Sequence, residues 1–453
     1  MQHTKNKELF VNTPPTRLFF KAAIPGAIGM LASSLYQTVD GILVGNLLGD
    51  TAFAAMNLVM PLVIINFSLA DLIGVGSAVP ISIRLGAKDE KSANNIFTCS
   101  IILIILAGLA VGGILYTAGP FLLHLMGAEG ELAALAAQYM RVYALFSPLI
   151  TMVYAMDNYL RICGHIRTSM VLNILMSALC VGLEWILLGL MGAGIWGSSL
   201  GSSLGMLICA ALAVWPFARG RMQLRFVRPR FSGRMVRQII ACGSPNFLSN
   251  IAGRITSILM NMILLRLGGA TAVSVYGILM MSEGFVQPLL YGMCDSLQPA
   301  VGYNWGAGNP GRVLAIEKRC FTASAVLSLA AAGILAACPE PIVRLFSQNT
   351  DGTLLAMAVP ALVLFSTTFL TRWISFASQS FFAAIERPLQ ASVISVSIAL
   401  VFPLIFLAVL QPLGLTGLWL NLPLTALSAA VLSAGMLLHI RKKAPVPPAD
   451  ATP

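Results

Sequence analysis

Apolar stretches of twenty or more residues succeed one another along almost the whole chain, with short polar breaks between them. A hydrocarbon core about 30 Å thick is crossed by about 20 helical residues. The pattern therefore predicts an all-α polytopic membrane protein with twelve transmembrane helices, over 18–47, 52–83, 95–118, 132–157, 168–190 and 194–218, then 238–267, 271–302, 314–337, 354–380, 389–410 and 415–440. The longest polar interruption, Arg219 to Arg237, separates six helices from six.

The two halves carry the same punctuation. Pro25, Gly49 and Gly86-Ala87 recur 220 residues later as Pro245, Gly269 and Gly306-Ala307. Met191-Gly192 pairs with Leu413-Gly414 at an offset of 222, as loop insertions would produce. The expected organisation is an N-terminal six-helix lobe over 1–220, a basic linker over 221–237, a pseudo-symmetric C-terminal lobe over 238–440 and a disordered tail over 441–453. Paired halves in an apolar chain point to a transporter whose substrate path runs between them.

Composition strengthens the membrane reading. Charged residues make up 10% and apolar residues 57%, with mean hydropathy +0.84, whereas soluble domains carry roughly 25% charged residues. The first apolar run is too long for a cleaved signal and lacks a clear cleavage site. With both termini cytoplasmic, 23 of the 28 basic residues fall on the inner side, as the positive-inside rule requires. That explains the net charge of +11 without a nucleic-acid partner and makes the arginine-rich linker an anchor near anionic membrane lipid. The expected setting is the cell membrane, and the expected state is a monomer.

Several motif matches carry no chemistry. The eight cysteines have neither metal nor disulfide spacing and read as small packing residues. The four histidines form no metal constellation, so no metal and no cofactor is expected. Gly197-Ser-Ser-Leu-Gly201 and Gly201-Ser-Ser-Leu-Gly205 fit a nucleophile elbow, but lie in an apolar helix rather than at a strand-to-helix turn. Glycines at every fourth position instead let a neighbouring helix approach closely. Gly306-Ala-Gly308-Asn-Pro-Gly311 follows a membrane helix and reads as a turn, not a dinucleotide site. An enzyme reading, such as a membrane-embedded transferase, lacks a metal or phosphate motif.

The informative residues are charges inside apolar helices, which cost about 2.5–3.5 kcal/mol each at mid-bilayer on insertion scales. Asp40 is the only charge between Lys21 and Asp50, and Glu184 the only one between Arg167 and Arg219. Asp71, Asp157, Arg254, Glu283, Asp295 and Arg372 complete the set. Asp157 stands four residues before Arg161, where a helical ion pair can form, and Arg254 and Arg372 can neutralise acids on neighbouring helices. Asp40 and Glu184 have no basic residue within a turn, and Tyr36 lies on the same face as Asp40. Desolvation disfavours a charged carboxylate. Such a group can take a proton from one side and release it on the other, or hold a cationic ligand. Competition between the two is the physical basis of antiport. Inward proton movement supplies about 2.3 kcal/mol per charge per 100 mV. Apolar, aromatic and Met-containing walls suit organic ligands of varied shape.

These residues resemble the multidrug and toxic compound extrusion (MATE) exporters, in particular bacterial multidrug exporters of the DinF-like branch. The resemblance rests on Pro25 with Leu35-Tyr36-Gln37-Thr38-Val39-Asp40 and Val44-Gly45, and on Gly74-Val75-Gly76-Ser77 with Leu85-Gly86-Ala87-Lys88. It rests further on Leu160-Arg161 with Gly164, and on Gln298-Pro299-Ala300-Val301-Gly302-Tyr303-Asn304-Trp305-Gly306-Ala307. It implies a V-shaped pair of six-helix bundles and export of small organic cations by alternating access. Asp40 corresponds to the family's first-helix acid, and Glu184 falls where many members have Asp. Tyr36, Tyr139 and Ser202 fall at polar lining positions of the coupling site, and Pro25 at a proline where the first helix can bend. Asp157, with neighbouring Asn158, and Asp295, with Glu283, are candidates for cation recognition. Two departures bear on the coupling ion. Cys180 replaces a common Asn, and a thiol is a poor ligand for a hard cation, so protons are expected, with sodium as the alternative. Arg254 stands where a sodium-coupled subgroup has a glutamate. A flippase for lipid-linked polar headgroups, from the wider superfamily, predicts a basic cavity, whereas here six intramembrane acids face two arginines.

Overall fold

The computed structural model describes residues 9–346 and 352–442, and among them contains helices and no strands. Lys5, Lys7, Lys443 and the expected disordered tail from 443 onward lie outside the described residues. The first half holds α1 (Pro15–Leu48), α2 (Asp50–Gly86), α3 (Glu90–Leu125), α4 (Gly130–Ile162), α5 (Ile166–Trp185, extended by one wide turn, Ile186–Leu190) and α6 (Ile195–Ala218). The second half begins with one run, Gly233–Gly306, which breaks at Gly269 into α7 (233–268) and α8 (270–306). It continues with α9 (Pro310–Ala337), a two-turn helix Pro339–Phe346, and α10 (Gly352–Ser366 and Thr368–Ala384, bent by 44°). It ends with α11 (Pro388–Val396 through Phe402–Leu410) and α12 (Gly414–Lys442).

All twelve expected helices are present. Eight helical runs among the described residues are long and apolar enough to cross a membrane, or nine with the bent pair of α10 joined. Two of those runs are double, folded at Gly269 and at Gln411–Leu413. The remaining helix, α4, falls below that apolar threshold, because it carries Gln138, Tyr139, Arg141, Tyr143, Tyr154, Asp157 and Asn158. A helix too polar to face lipid on every side lines the interior.

The repeat extends to backbone conformation. Gly49 (φ 87, ψ 179) and Gly269 (φ 65, ψ −161) make the same break, in a region of φ that side chains disfavour. Gly194 (φ 65, ψ −166) matches Gly414 (φ 66, ψ −144). This corrects the sequence pairing: the equivalent of Gly414 is Gly194 at an offset of 220, not Gly192 at 222. Gly192 is a separate turn residue with no counterpart at that break.

Two compact units emerge. Among the described residues, one comprises Ile28–Gly243 with residues 9–13; the other comprises Pro14–Ala27 with the described residues from Ser244 onward. Each unit thus borrows the first turns of a helix whose remainder lies in the other. In the second unit, Gly26 of α1 packs on Gly292 and Ser296 of α8 with no room for a Cβ. In the first, Gly243 of α7 packs equally closely on the Leu72 carbonyl of α2, and Gly76 on the Ile239 carbonyl. Leu72 and Gly76 are the repeat equivalents of Gly292 and Ser296, so the same seam is built twice.

The 221–237 segment belongs to the first unit and is not a loose tether. Asn94 and Asn95 of α3 accept from the Arg225 and Arg230 backbone amides at 2.8 Å each, Asn95 donates to the Arg230 carbonyl at 2.9 Å, and Thr98 accepts from the Val227 amide at 3.1 Å. Met222 and Leu224 are buried beneath, while the linker arginines are exposed.

Candidate functional site

The first unit brings Asp40, Glu184, Tyr36, Tyr139 and Ser202 to one buried place, and glycine spacing on α6 is what permits it. A Cβ on Gly201 would strike the backbone of Glu184, and one on Gly205 the backbone and thiol of Cys180. Bare backbone there lets α5 lie directly on α6, as the every-fourth-glycine spacing predicts. Ser198 and Ser202, on the same helix, are thereby carried against the acid.

Asp40 is 3% exposed and Glu184 fully buried. The two carboxyl groups are neighbours, with Ser198 beside them, and the Ser198 hydroxyl donates to Glu184 Oε1 at 2.7 Å. The Tyr139 phenol stands beside both acids, and Tyr36 beside Asp40, Cys180 and Ser202. Cys180 donates its thiol hydrogen to the Ser202 carbonyl at 3.4 Å. One carboxylate oxygen of each acid and the Ser202 hydroxyl keep unused hydrogen-bonding capacity. Neither acid takes part in an ion pair among the described residues. Two adjacent ionised carboxylates in a dry site repel each other strongly, and a proton or a small cation between them relieves that repulsion. Behind Tyr143, Asn66 donates to the tyrosine oxygen and to Ser147, both at 2.8 Å, which fixes the aromatic wall of α4.

The proposed cation-recognition residues do not join this group. Asp157 pairs with Arg161 at 2.5 Å, and accepts from Ser169 and, at 3.0 Å, from Asn173. Arg161 is 1% exposed and donates to Ser169 at 3.1 Å, so the cluster ties α4 to α5 with its charge already balanced. Asn158 donates to the Tyr154 carbonyl of its own helix at 3.2 Å. Glu283 on α8 is held by an ion pair to Arg372 on α10, and the guanidinium lies over Phe376, 5.4 Å from the ring centroid. Asp295 accepts from Gln298 at 2.8 Å, and Gln298 also donates to Ser380 at 3.0 Å. Gln298, Ser380, Phe321 and Glu317 line a small cavity in the second unit, of about 20 Å³, room for about one water molecule. Pro25 is buried within an unbroken α1, three residues before the chain passes from one unit to the other. No cluster of three or more metal-ligating side chains occurs among the described residues.

Sequence reasoning missed Ser198. It lies inside the stripe read as packing, and the packing is real, but the same register aims its hydroxyl at Glu184. The signal was available: an isolated acid on one helix opposite a serine-rich face on the next.

Comparison with known proteins bears on the chain's family and fold. A family model described as MatE matches residues 25–186 and 245–409. The multidrug export protein MepA of Staphylococcus aureus is 25% identical over 437 residues, covering 95% of each chain. The Staphylococcus saprophyticus MepA is 24% identical over 422 residues, covering 92% of each. A MATE crystallised in complex with MaL6 superposes with a TM-score of 0.91 at 22% identity, covering 97% of this chain and 99% of that one. A MOP superfamily transporter from Pyrococcus furiosus, described as having a binding pocket of reversed polarity, gives 0.90 at 23% identity over 97% and 98%.

Proposed function

The chain belongs to the MatE family of efflux transporters, and from that premise we propose that it is a proton-driven antiporter that exports cationic amphiphilic compounds across the cell membrane, with both termini cytoplasmic. The observation that carries the reading is the buried Asp40–Glu184 pair, which has no basic counterion among the described residues. With both carboxyls protonated, the pair is neutral and suits a closed, dry lobe. As protons leave, the pair gains negative charge that draws in water or an organic cation. Loading and unloading from opposite sides of the membrane then drives the exchange. The multidrug export named for the MepA relatives supports the direction and the substrate class.

Sodium is the competing coupling ion. A hard cation needs a cage of oxygen ligands, and two features work against one here. Cys180 contributes sulfur, and its thiol already occupies the Ser202 carbonyl. Asp157 and Glu283 act as structural ties, since each is already neutralised by an arginine. The buried acid pair also disfavours a flippase for anionic headgroups, which needs the opposite polarity.

Cells lacking their own exporters provide the test. Expression of the wild-type chain is expected to lower ethidium accumulation. Asp40→Asn and Glu184→Gln are expected to abolish that effect at unchanged membrane abundance. Undiminished efflux by both variants would remove the pair from the mechanism.

A further inference from the structure

One intramembrane charge is left over. Arg254 stands midway along α7, exposed, and among the described residues it makes no ion pair and no hydrogen bond. The other intramembrane arginine, Arg372, is spoken for by Glu283. An unpaired arginine in a membrane helix costs several kcal/mol if it faces lipid and is retained where it meets water or a ligand.

Its surroundings decide between the two. At about 100° per residue, Asn246, Asn250, Gly253, Arg254, Ser257 and Asn261 fall on one face of α7. The exposed apolar residues Leu248, Ile255, Ile258 and Met262 gather on the other side. The polar face is built into the second unit: Gln379 donates to Asn246 at 3.4 Å, and Ser257 meets the Tyr276 hydroxyl. Asn250 and Arg254 are its exposed members. A helix of this kind presents one side to lipid and the other to a hydrated path.

We propose that Arg254 binds an acidic group, a carboxylate above all, on the transported molecule, so that the substrates include zwitterionic amphiphiles as well as simple cations. The guanidinium fork suits a carboxylate because two parallel N–H donors match its two oxygens, and Asn250, one turn before it, offers a further donor in its side-chain amide. The acid pair in the first unit is kept for the coupling ion, and the arginine in the second reads the charge of opposite sign. The proposal depends on the transport reading only in calling the ligand a substrate; binding itself does not require transport.

The test uses purified full-length protein and a matched pair of dyes, a free-acid rhodamine and its methyl ester, which differ only in the carboxylate. Binding is followed by fluorescence polarisation. The wild type is expected to bind the free acid about tenfold more tightly than the ester, the scale of one charge-assisted hydrogen-bonded pair. Arg254→Gln is expected to erase that preference while leaving ester binding unchanged, and Arg254→Lys to keep part of it. Asp40→Asn is expected to retain the preference although transport is lost, so failure of the coupling reading is separable. Equal binding of acid and ester by the wild type, no binding of the acid at all, or a full preference surviving in Arg254→Gln would each overturn the proposal.

Discussion

At the scale of single residues, the contacts separate four of the six intramembrane acids into two kinds. Asp157 and Glu283 have arginine partners, and Asp40 and Glu184 have each other. The two kinds respond differently to substitution. Asp157→Ala strands the buried Arg161 guanidinium, and breaking a buried pair in this way costs about 2 kcal/mol or more. It is expected to lower the thermal midpoint of the detergent-solubilised protein by several degrees while substrate selectivity stays unchanged. Ser198→Ala removes the donor that holds Glu184, a loss of about 1–2 kcal/mol. It is expected to slow dye efflux roughly tenfold, with a fall in thermal midpoint no larger than that of Asp157→Ala. A stability loss without a transport defect would make Ser198 a packing residue only. The sequence isolates Asp40 and Glu184 because no basic residue stands within a turn of either. It shows the Asp157–Arg161 spacing as well, since four residues span one helical turn. It hides the Glu283–Arg372 pair, whose members are 89 residues apart, because partnership at that distance is decided by packing.

At the scale of helices, close backbone approach is what positions chemistry. The α5–α6 contact through Gly201 and Gly205 sets Glu184 against Ser198, and the paired seams at Gly26–Gly292 and Gly76–Gly243 let α1 and α7 start in one unit and finish in the other. Gly243→Ala would drive a methyl group into the Leu72 carbonyl. Overpacking of this type costs about 1–3 kcal/mol, so a fall in thermal midpoint and in transport is expected. Gly253, on the same helix, has open space where a Cβ would stand. Gly253→Ala is therefore expected to be neutral or to raise the midpoint slightly, since alanine favours helix by about 1 kcal/mol. Equal losses in the two variants would contradict the seam. The glycines and prolines were visible as a repeat, but the exchange of Pro14–Ala27 between units was not, because no local pattern marks which neighbour a helical turn will choose.

At the scale of the whole molecule, the frame repeats and the charges do not. The corrected match of Gly194 with Gly414 places Glu184 against Leu404 at the same offset of 220, while Asp40 falls on Met260 and Arg254 on Ser34. Symmetry therefore supplies two similar bundles, one carrying an unneutralised acid pair and the other an unpaired arginine. The pinned linker adds six arginines beside the ends of α6 and α7, with Arg219 just before it, where they suit contact with anionic headgroups. Coupling is the central claim of the proposed function, and purified protein in sealed vesicles tests it most directly. Uptake of a cationic dye is measured with either a pH gradient or a sodium gradient imposed, for the wild type and for Asp40→Asn. Dye movement driven by the pH gradient alone, and absent in Asp40→Asn, is the expected result. Movement driven by sodium without a pH gradient, or pH-driven movement that survives in Asp40→Asn, would contradict it.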